Sequence, residues 1–201
     1  VDTRKSSIED WNGSFTGYVE KKLIDGTVAA SEQIFQVTPY PYIRLAEMYL
    51  IAAEACIELN RLDEAATYLD ALRGRIGRPD TKNTLAIRGK SFIQNELREF
   101  LQQERRSELA YEESRYYDVR RWMIADKTAN KPLTGIMVVG RLKPGQTANL
   151  PYVRDEAKWD YSYYELSYRE SRKWDNKMYF APISRDEIKR NTAMVQNPGM
   201  E

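Results

Sequence analysis

The chain has 201 residues, of which 42% are hydrophobic, and this suits a single domain with a sizeable core. Its 31 basic residues nearly cancel its 30 acidic residues, so no strong global field draws nucleic acid or an anionic membrane to the surface. Composition therefore gives no support to a nucleic-acid partner, and we predict none.

The chain contains no histidine and a single cysteine, Cys56. The lack of histidine removes the commonest general base, the usual zinc ligand and every Ser-His-Asp or Cys-His arrangement. Cys56 lies in an apolar run, and we interpret it as a small core residue. We accordingly predict no metal site and no cofactor. No run of about 18 apolar residues occurs, and the polar start VDTRKSSIED does not resemble a signal peptide.

Residues 1–41 read as irregular, and the first clear helix covers 42–59. A short turn separates it from a second helical run over 62–77, so the two helices should pack antiparallel. The pair resembles a tetratricopeptide repeat, with Ala53 and Ala65 as the best matches. The match is partial, and no second repeat of this period is found nearby.

The segment 77–84 is rich in polar residues, glycine and proline, and it is predicted to be a loop. A long helix should follow over 91–125, ended by the polar segment 126–132. Beyond it lies a loop-rich, short-strand region over about 126–183, in which 159–171 is typical of a strand or an extended loop.

The end of the chain carries a helix-start signal. Ser184 and Glu187 form a capping box that opens a short terminal helix, and QNPG at 196–199 is typical of a turn. The elements predict a mainly α fold, with a tetratricopeptide-like helical pair and long helices beside a loop-rich, short-strand region. We expect one domain, with a helical scaffold over about 42–125 and a terminal capping segment over 184–201.

The segment ERRSELAYEESRYYDVRRW at 104–122 holds ten charged residues in nineteen positions. If it is helical, the apolar stripe of the preceding residues continues directly into carboxylates and an arginine. Three interpretations compete. The first is a catalytic carboxylate pair, Glu104 with Glu108, for which Glu112 with Asp118 is an alternative. The second is a solvated face, and the third is a structural ion-pair network.

We favour the structural network, because arginines within the segment would keep the carboxylates ionised and because a buried unpaired charge is costly. Arg115 is expected to pair with Glu112 or Asp118 at helical contact spacing. A carboxylate metal site is disfavoured, since such sites in helical bundles usually include histidine. The predicted network consists of Glu104, Glu108, Glu112, Arg115 and Asp118.

The same segment resembles the signature of the SusD/RagB family, in which an ERxxELxxE helix runs into a segment that ends in Arg-Trp. Further stretches resemble that family in the same order, and they are YPYIRLAEMYLIAAEA at 40–55, LDALRGRIG at 69–77, and KMYFAPISRDEIKRN at 177–191 with QNPG. Two positions depart from the pattern, because the family often has glycine in place of Glu113 and proline in place of Thr192. The first departure should make the helix junction straighter here.

The resemblance implies that the chain is the carboxy-terminal half of a longer lipoprotein, whose lipid anchor and further repeat helices lie outside it. One unit of such a repeat array should expose apolar surface. Such proteins sit on the outer face of the outer membrane, bind glycans without catalysis and pass them to a SusC-like TonB-dependent transporter. The resemblance thus implies a non-enzymatic protein with an oligosaccharide or polysaccharide ligand and that transporter as partner.

Sugar rings stack their C–H faces on aromatic side chains, and the loop-rich region is dense in tyrosine and tryptophan. In a strand, Tyr161 and Tyr163 would share one face with Trp159, which gives a candidate glycan platform. Trp11 is a further candidate in the amino-terminal segment. The alternative is that these residues are core residues or cross-strand pairs. No family motif marks these positions.

Glycan capture without catalysis is the function that these observations favour. The alternative is a helical-repeat module that binds a peptide or protein partner and no sugar. An enzyme that acts through paired carboxylates is the third hypothesis. No motif in the sequence identifies the glycan.

Overall fold

The computed structural model describes residues 20–29, 36–37, 39–148, 154–167 and 172–200. Within these residues the fold is mainly helical, with seven α-helices and two antiparallel β-strands, which confirms the predicted fold class. The chain divides into two compact units. The helical unit comprises Leu23–Arg121, and the sheet unit comprises Trp122–Glu201 together with Val1–Lys22. The single domain expected from the sequence stays a prediction.

Two helices near the start of the helical unit form the predicted pair. Helix α1 covers Leu45–Glu58, and helix α2 covers Leu62–Gly74. The turn between them closes in a Schellman arrangement, in which the Arg61 N–H donates to the Cys56 carbonyl at 2.7 Å. Asn60 has a left-handed φ of 57°, which asparagine tolerates better than most residues. The chain therefore reverses tightly, and α2 packs against α1.

Helix α3, Thr81–Ile87, occupies part of the segment that was expected to be a loop. The Asp80 carboxylate caps it by accepting a hydrogen bond from the Asn83 N–H at 2.8 Å. The predicted loop at 77–84 is therefore wrong from residue 81 onward, because Asp80 provides an N-cap. Helix α4, Gln94–Glu108, follows.

The four helices α1 to α4 bury one hydrophobic core within the helical unit. Ala53 on α1 and Ala65 on α2 are fully buried, and their small side chains let the two helices approach closely. Cys56 is buried in the same core, which confirms its interpretation as a core residue. The buried core residues are Leu50, Ala53, Cys56, Ile57, Ala65, Leu69, Leu85, Leu97, Phe100, Leu101 and Leu109.

The side of α1 away from this core exposes apolar side chains. Leu45, Met48 and Ile51 follow one another at three-residue spacing and are all exposed. Tyr42 and Ile43, just before the helix, are exposed as well. Residues at this spacing lie near one another on a helix surface, so they form one apolar strip. The assignment of the pair to a tetratricopeptide-like array stays a prediction.

The single long helix predicted over 91–125 is wrong, because a second helix, α5, begins anew at Ser114 and ends at Arg121. Between α4 and α5, Tyr111 and Glu113 have left-handed φ values of 63° and 59°. A left-handed residue cannot continue a right-handed α-helix. Glu113 thus adopts a conformation that suits glycine, and its presence does not straighten the junction as the sequence had indicated.

The sheet unit begins with a short helix, α6, Ala125–Ala129, so the polar segment 126–132 is only partly irregular. Strand β1 covers Thr134–Leu142, and strand β2 covers Trp159–Ser167. The two strands pair antiparallel and form the one sheet among the described residues. A 3₁₀ turn at Asn176–Tyr179 follows. The short-strand region predicted from the sequence therefore contains a regular β-ladder.

The last helix, α7, covers Arg185–Arg190 and begins where the capping box was predicted. The Ser184 Oγ accepts a hydrogen bond from the Glu187 N–H at 3.3 Å, which confirms Ser184 as the N-cap. Farther on, the Met200 N–H donates to the Asn197 carbonyl at 3.1 Å and closes the predicted turn. None of the helices in the described part of the chain combines the length and the apolar character needed to cross a bilayer.

Candidate functional site

Arginines from outside the charged segment 104–122 bind Glu108 and Glu112. Arg44, directly before α1, donates from Nη1 to Glu108 Oε1 at 2.7 Å and from Nε to Glu112 Oε2 at 2.8 Å. The same oxygen of Glu108 accepts a hydrogen bond from Arg75 Nη2 at 2.8 Å. Arg44 also donates to the Glu108 carbonyl at 2.6 Å. The end of α4 is therefore joined to the start of α1 and the end of α2.

Arg73 on α2 is buried, and each of its guanidinium nitrogens has a partner. Nη1 donates to Glu104 Oε1 at 2.6 Å, and Nη2 donates to the Thr84 hydroxyl at 2.6 Å. Nε donates to the Pro79 carbonyl at 2.8 Å. Because a buried charge without partners is costly, this set of bonds explains how an arginine is tolerated beside the core.

Asp118 on α5 is 2% exposed and binds two arginines. Arg105 Nε donates to one carboxylate oxygen at 2.7 Å, and Arg121 Nε donates to the other at 2.9 Å. The same arginines reach α1. There Arg105 binds Glu47 at 3.0 Å, and Arg121 Nη2 binds Glu54 at 2.7 Å. These contacts tie α5 to α4 and α1.

Arg115 differs from the other residues of the predicted network. Its guanidinium makes no hydrogen bond or ion pair with any residue in the described ranges of the chain. Its expected partners Glu112 and Asp118 are bound by other arginines. Burial first, and the charge of Arg106 second, lower the pKa of the Arg115 guanidinium. The positive charge of Arg115 is therefore only partly compensated.

The electrostatics of Glu108 favour structural pairing over acid-base chemistry. Burial by itself would raise the pKa of Glu108, but hydrogen bonds from Arg44 and Arg75 outweigh burial and hold this pKa below its usual value. A general acid must carry a proton near the working pH. Glu108 stays ionised instead, so it is a poor candidate for the acid of a catalytic pair.

The aromatic candidates of the sheet unit lie side by side on β2. Trp159, Tyr161 and Tyr163 alternate along the strand, so their side chains project from the same face of the sheet. Their cross-strand neighbours on β1 are Leu142, Gly140 and Val138. We call the surface formed by Trp159, Tyr161, Tyr163 and Gly140 the aromatic face.

Gly140 provides the space that two of these rings occupy. A Cβ atom at this position would lie 3.4 Å from Trp159 Cε3 and 3.4 Å from Tyr161 Cε1. The two rings therefore cover the strand backbone where glycine has no side chain. Aromatic residues that cover a glycine across a ladder stabilise the pairing of the strands. This contact supports a structural contribution from Trp159 and Tyr161.

Tyr161 and Tyr163 have different surroundings on the aromatic face. The half-buried Tyr161 accepts a hydrogen bond from the Asp155 N–H at 3.3 Å, and the Arg154 guanidinium lies 5.6 Å from its ring centre. Tyr163 is 53% exposed, and its hydroxyl lies 3.4 Å from Arg154 Nη2. An exposed ring beside guanidinium donors offers a flat apolar surface together with hydrogen-bond donors. Small polar ligands are commonly held by such a combination.

The remaining candidate, Trp11, lies outside the described residues. Among the residues that the structure describes, no group of three or more His, Cys, Asp or Glu side chains is placed to hold a metal ion. Among the ligand-binding candidates predicted from the sequence, those on the aromatic face are therefore the ones that can be argued from geometry.

Sequence reasoning missed the partners that come from other helices. Arg44, directly before α1, forms a narrow polar stripe with Glu47, Glu54 and Glu58 on a helix that is otherwise apolar, and this pattern signals polar partners on a neighbouring helix. Gly140 was missed as well. A glycine inside a strand pattern often marks the close approach of another group, and here that group is a pair of rings.

The chain matches known proteins over most of its length. A family model described as the SusD family matches residues 3–200. SusD-like protein P2 of Formosa agariphila is 38% identical over 93 residues, which cover 45% of this chain and 18% of that protein. The crystal structure of a SusD-like protein from Bacteroides fragilis has a TM-score of 0.60 at 30% identity. That match covers 81% of this chain and 26% of the solved chain, so the present chain spans about a quarter or less of these relatives.

Proposed function

Because the chain belongs to the SusD family, we propose that it is part of a cell-surface protein that binds a glycan and leaves it chemically unchanged. The observation that carries this proposal is the aromatic face of the sheet unit. Its exposed ring, Tyr163, lies beside the donors of Arg154. Glu104 and Glu108 favour no catalytic step, because arginines bind both carboxylates and the pKa of Glu108 is lowered.

In this proposal the sugar stacks one C–H face on Tyr163 and the edge of Trp159. The guanidinium of Arg154 donates to the sugar hydroxyls, while its contact with Glu156 at 2.6 Å fixes its position. Tyr161 supports the surface from within, since its hydroxyl is already hydrogen-bonded. Stacking on an aromatic ring suits a non-catalytic site, because it binds the sugar without attacking its glycosidic bonds.

A tryptophan-fluorescence titration of the full-length protein tests this proposal. The ligands are a panel of neutral and acidic oligosaccharides, and the variants are Trp159→Ala and Tyr163→Ala. We expect a saturable change with one sugar class, and about a tenfold weaker affinity for Tyr163→Ala, which corresponds to ~1.4 kcal/mol. Trp159→Ala should remove most of the fluorescence change as well as weaken binding.

Tyr164→Ala is the matched control for Tyr163→Ala. Tyr164 is 49% exposed, close to the 53% of Tyr163, yet it projects from the opposite face of β2. Its removal should leave the affinity within about twofold of the wild type. Equal weakening by both tyrosine variants, or none by either, contradicts a site on the aromatic face. Hydrolysis of the bound oligosaccharide by the purified protein contradicts binding without catalysis.

We extend the proposal to the place and partner of the full-length protein. It would be lipid-anchored at the extracellular face of the outer membrane and would deliver its glycan to a SusC-like TonB-dependent transporter. Support comes from family membership. Affinity purification of the tagged full-length protein from solubilised membranes should yield such a transporter in stoichiometric amount. If no such transporter co-purifies from the membranes of cells grown on the matching glycan, the proposed delivery to a transporter is contradicted.

A second candidate function is a helical-repeat module that binds an amphipathic helix of a protein partner. The observation that favours it is the apolar strip of Leu45, Met48 and Ile51 on α1, which is exposed. Amphipathic helices bind such strips through apolar side chains at helical spacing. Sugar-dependent quenching that Tyr163→Ala abolishes argues for the glycan. If no sugar changes the fluorescence, and if a peptide binds to wild type but not to Met48→Glu, the results argue for the helical-repeat module.

A further inference from the structure

A cavity of about 480 Å³ lies in the helical unit, at the junction between α4 and α5. Pockets for small ligands usually have volumes of this order. Tyr111, Tyr116 and Tyr117 line the cavity together with Glu113 and Arg115, and all three tyrosines are exposed. None of these residues belongs to the aromatic face. The ion pairs that join the helices of the scaffold do not involve Arg115 or the three tyrosines, so the scaffold contacts do not account for this cavity.

The charge of Arg115 gives this cavity an electrostatic preference. Within the described residues its guanidinium has no hydrogen bond and no ion pair, and it does not pair with Glu113. Burial first, and the nearby charge of Arg106 second, lower the pKa of Arg115, and the charge of Asp118 only partly offsets them. Arg115 also lies in the first turn of α5, which carries no acidic residue, and a cation is unfavourable at the positive end of a helix. A bound anion beside Arg115 would relieve both repulsions, and this gain opposes the repulsion from Glu113, which also lines the cavity.

The tyrosines give the cavity flat apolar walls. The rings of Tyr116 and Tyr117 meet edge to face with centres 5.2 Å apart, and the Arg120 guanidinium lies 3.5 Å from the centre of Tyr116. The left-handed backbone at Tyr111 and Glu113 turns the chain around the cavity. Strained residues of this kind persist where the surrounding structure fixes them, and they are frequent at binding sites.

We propose that the cavity binds a carboxylate-bearing sugar, such as a uronic acid residue of an acidic oligosaccharide. The planar guanidinium of Arg115 matches a carboxylate, to which it can donate two parallel hydrogen bonds. The tyrosine rings accept the C–H face of the sugar and their hydroxyls bond to its oxygens. This inference rests on the proposed glycan-binding function, and it specifies an acidic sugar class for a second site.

The test is isothermal titration calorimetry of the full-length protein with an oligogalacturonate and with its methyl ester. The ester keeps every ring and removes only the negative charge. Variants are Arg115→Gln and Tyr117→Ala, and the control is Arg61→Gln, which removes an equal charge from an exposed residue at the turn after α1 that does not line the cavity. Circular dichroism confirms that each variant is folded.

We expect Arg115→Gln to weaken oligogalacturonate binding about tenfold or more, the loss that follows removal of a charge-assisted hydrogen bond. Tyr117→Ala should also weaken it, whereas Arg61→Gln should change it by less than about threefold. The methyl ester should bind wild type as weakly as the acid binds Arg115→Gln. Equal effects of Arg115→Gln and Arg61→Gln, or equal binding of ester and acid, overturn the proposal.

A glutamate-rich peptide serves as the competing anion. If it binds to wild type more tightly than the oligogalacturonate and Arg115→Gln abolishes its binding, the cavity recognises an acidic peptide and the sugar proposal is wrong. If no uronate binds while neutral sugars still bind in a manner that depends on Tyr163, only the proposed second site is overturned. If Tyr163→Ala and Tyr164→Ala also have equal effects on the affinity for neutral sugars, the proposed binding site on the aromatic face is contradicted as well, separately from the acidic-sugar site.

Discussion

Glu108 shows how a single residue joins three helices of the scaffold. Its carboxylate accepts hydrogen bonds from Arg44 and Arg75, while its own carbonyl accepts another from Arg44. The Glu108 side chain is mostly shielded from water, so these charge-assisted bonds are stronger than those of an exposed ion pair. Loss of the carboxylate would leave two guanidinium groups without their shared partner, which costs more than the bonds alone.

The first prediction concerns the acid sensitivity of this contact. The pKa of Glu108 is lowered in the folded state, so its contribution to stability is complete above its usual value of 4.5 and is lost as the pH falls through the lowered pKa. Glu108→Gln should reduce the free energy of unfolding by about 1–2 kcal/mol at pH 7. The difference should shrink as the pH falls from about 5 to about 3, where the protonated wild type resembles the variant.

Denaturant unfolding over this pH range makes the comparison. Glu99→Gln is the matched control on α4, because Glu99 is largely exposed and lies 3.5 Å from Lys90. Its effect should stay below about 0.5 kcal/mol at every pH. If the difference in the free energy of unfolding between wild type and Glu108→Gln widens as the pH falls, the ionised carboxylate is destabilising, and the prediction is wrong.

At the scale of secondary-structure elements, the junction of α4 and α5 has an unusual backbone. Tyr111 and Glu113 are both left-handed, and neither is a glycine. A residue with a side chain is destabilised by roughly 1–2 kcal/mol in this conformation. Replacing it with glycine removes that strain, but part of the gain is lost because glycine has more conformational freedom in the unfolded chain. Glu113→Gly should therefore stabilise the protein by about 0.5–1 kcal/mol, seen as a rise in Tm of about 1–3 °C.

Asn60→Gly provides the comparison for Glu113→Gly. Asn60 has a left-handed φ of 57° in the turn between α1 and α2. Asparagine tolerates this conformation, so replacement by glycine should change stability by less than about 0.5 kcal/mol. Destabilisation by Glu113→Gly of the same size as that of a mid-helix glycine would mean that the junction is helical in solution.

Elements with local signals were predictable from the sequence, and those set by distant contacts were not. The apolar pattern of α1 and the capping serine at Ser184 each lie within a few residues of the element that they define. The break before α5 has no glycine or proline to announce it. The chain turns there because Asp118 must reach Arg105 and Glu112 must reach Arg44, two contacts that helical periodicity does not contain.

At the scale of the whole molecule, the same limit applies to the candidate sites. The shared face of Trp159, Tyr161 and Tyr163 follows from the two-residue period of a strand, so the sequence was sufficient to place them together. The space at Gly140 depends on the register of β1 against β2, which the sequence does not state. The cavity around Arg115 depends on two left-handed residues and could not be predicted from a helical wheel.

The last prediction follows from the charge of the ligand. A neutral glycan neutralises no charge on the protein, so its binding to the aromatic face should not involve the release of many counterions. Raising salt from about 50 mM to about 200 mM should change the affinity for a neutral oligosaccharide by less than about twofold. Over the same rise in salt, the affinity for an acidic oligosaccharide bound through the single guanidinium of Arg115 should fall a few-fold in the wild type and should not fall in Arg115→Gln. Isothermal titration at both salt concentrations measures this, and a loss of orders of magnitude for any ligand would instead indicate an extended polyanion bound across many basic residues.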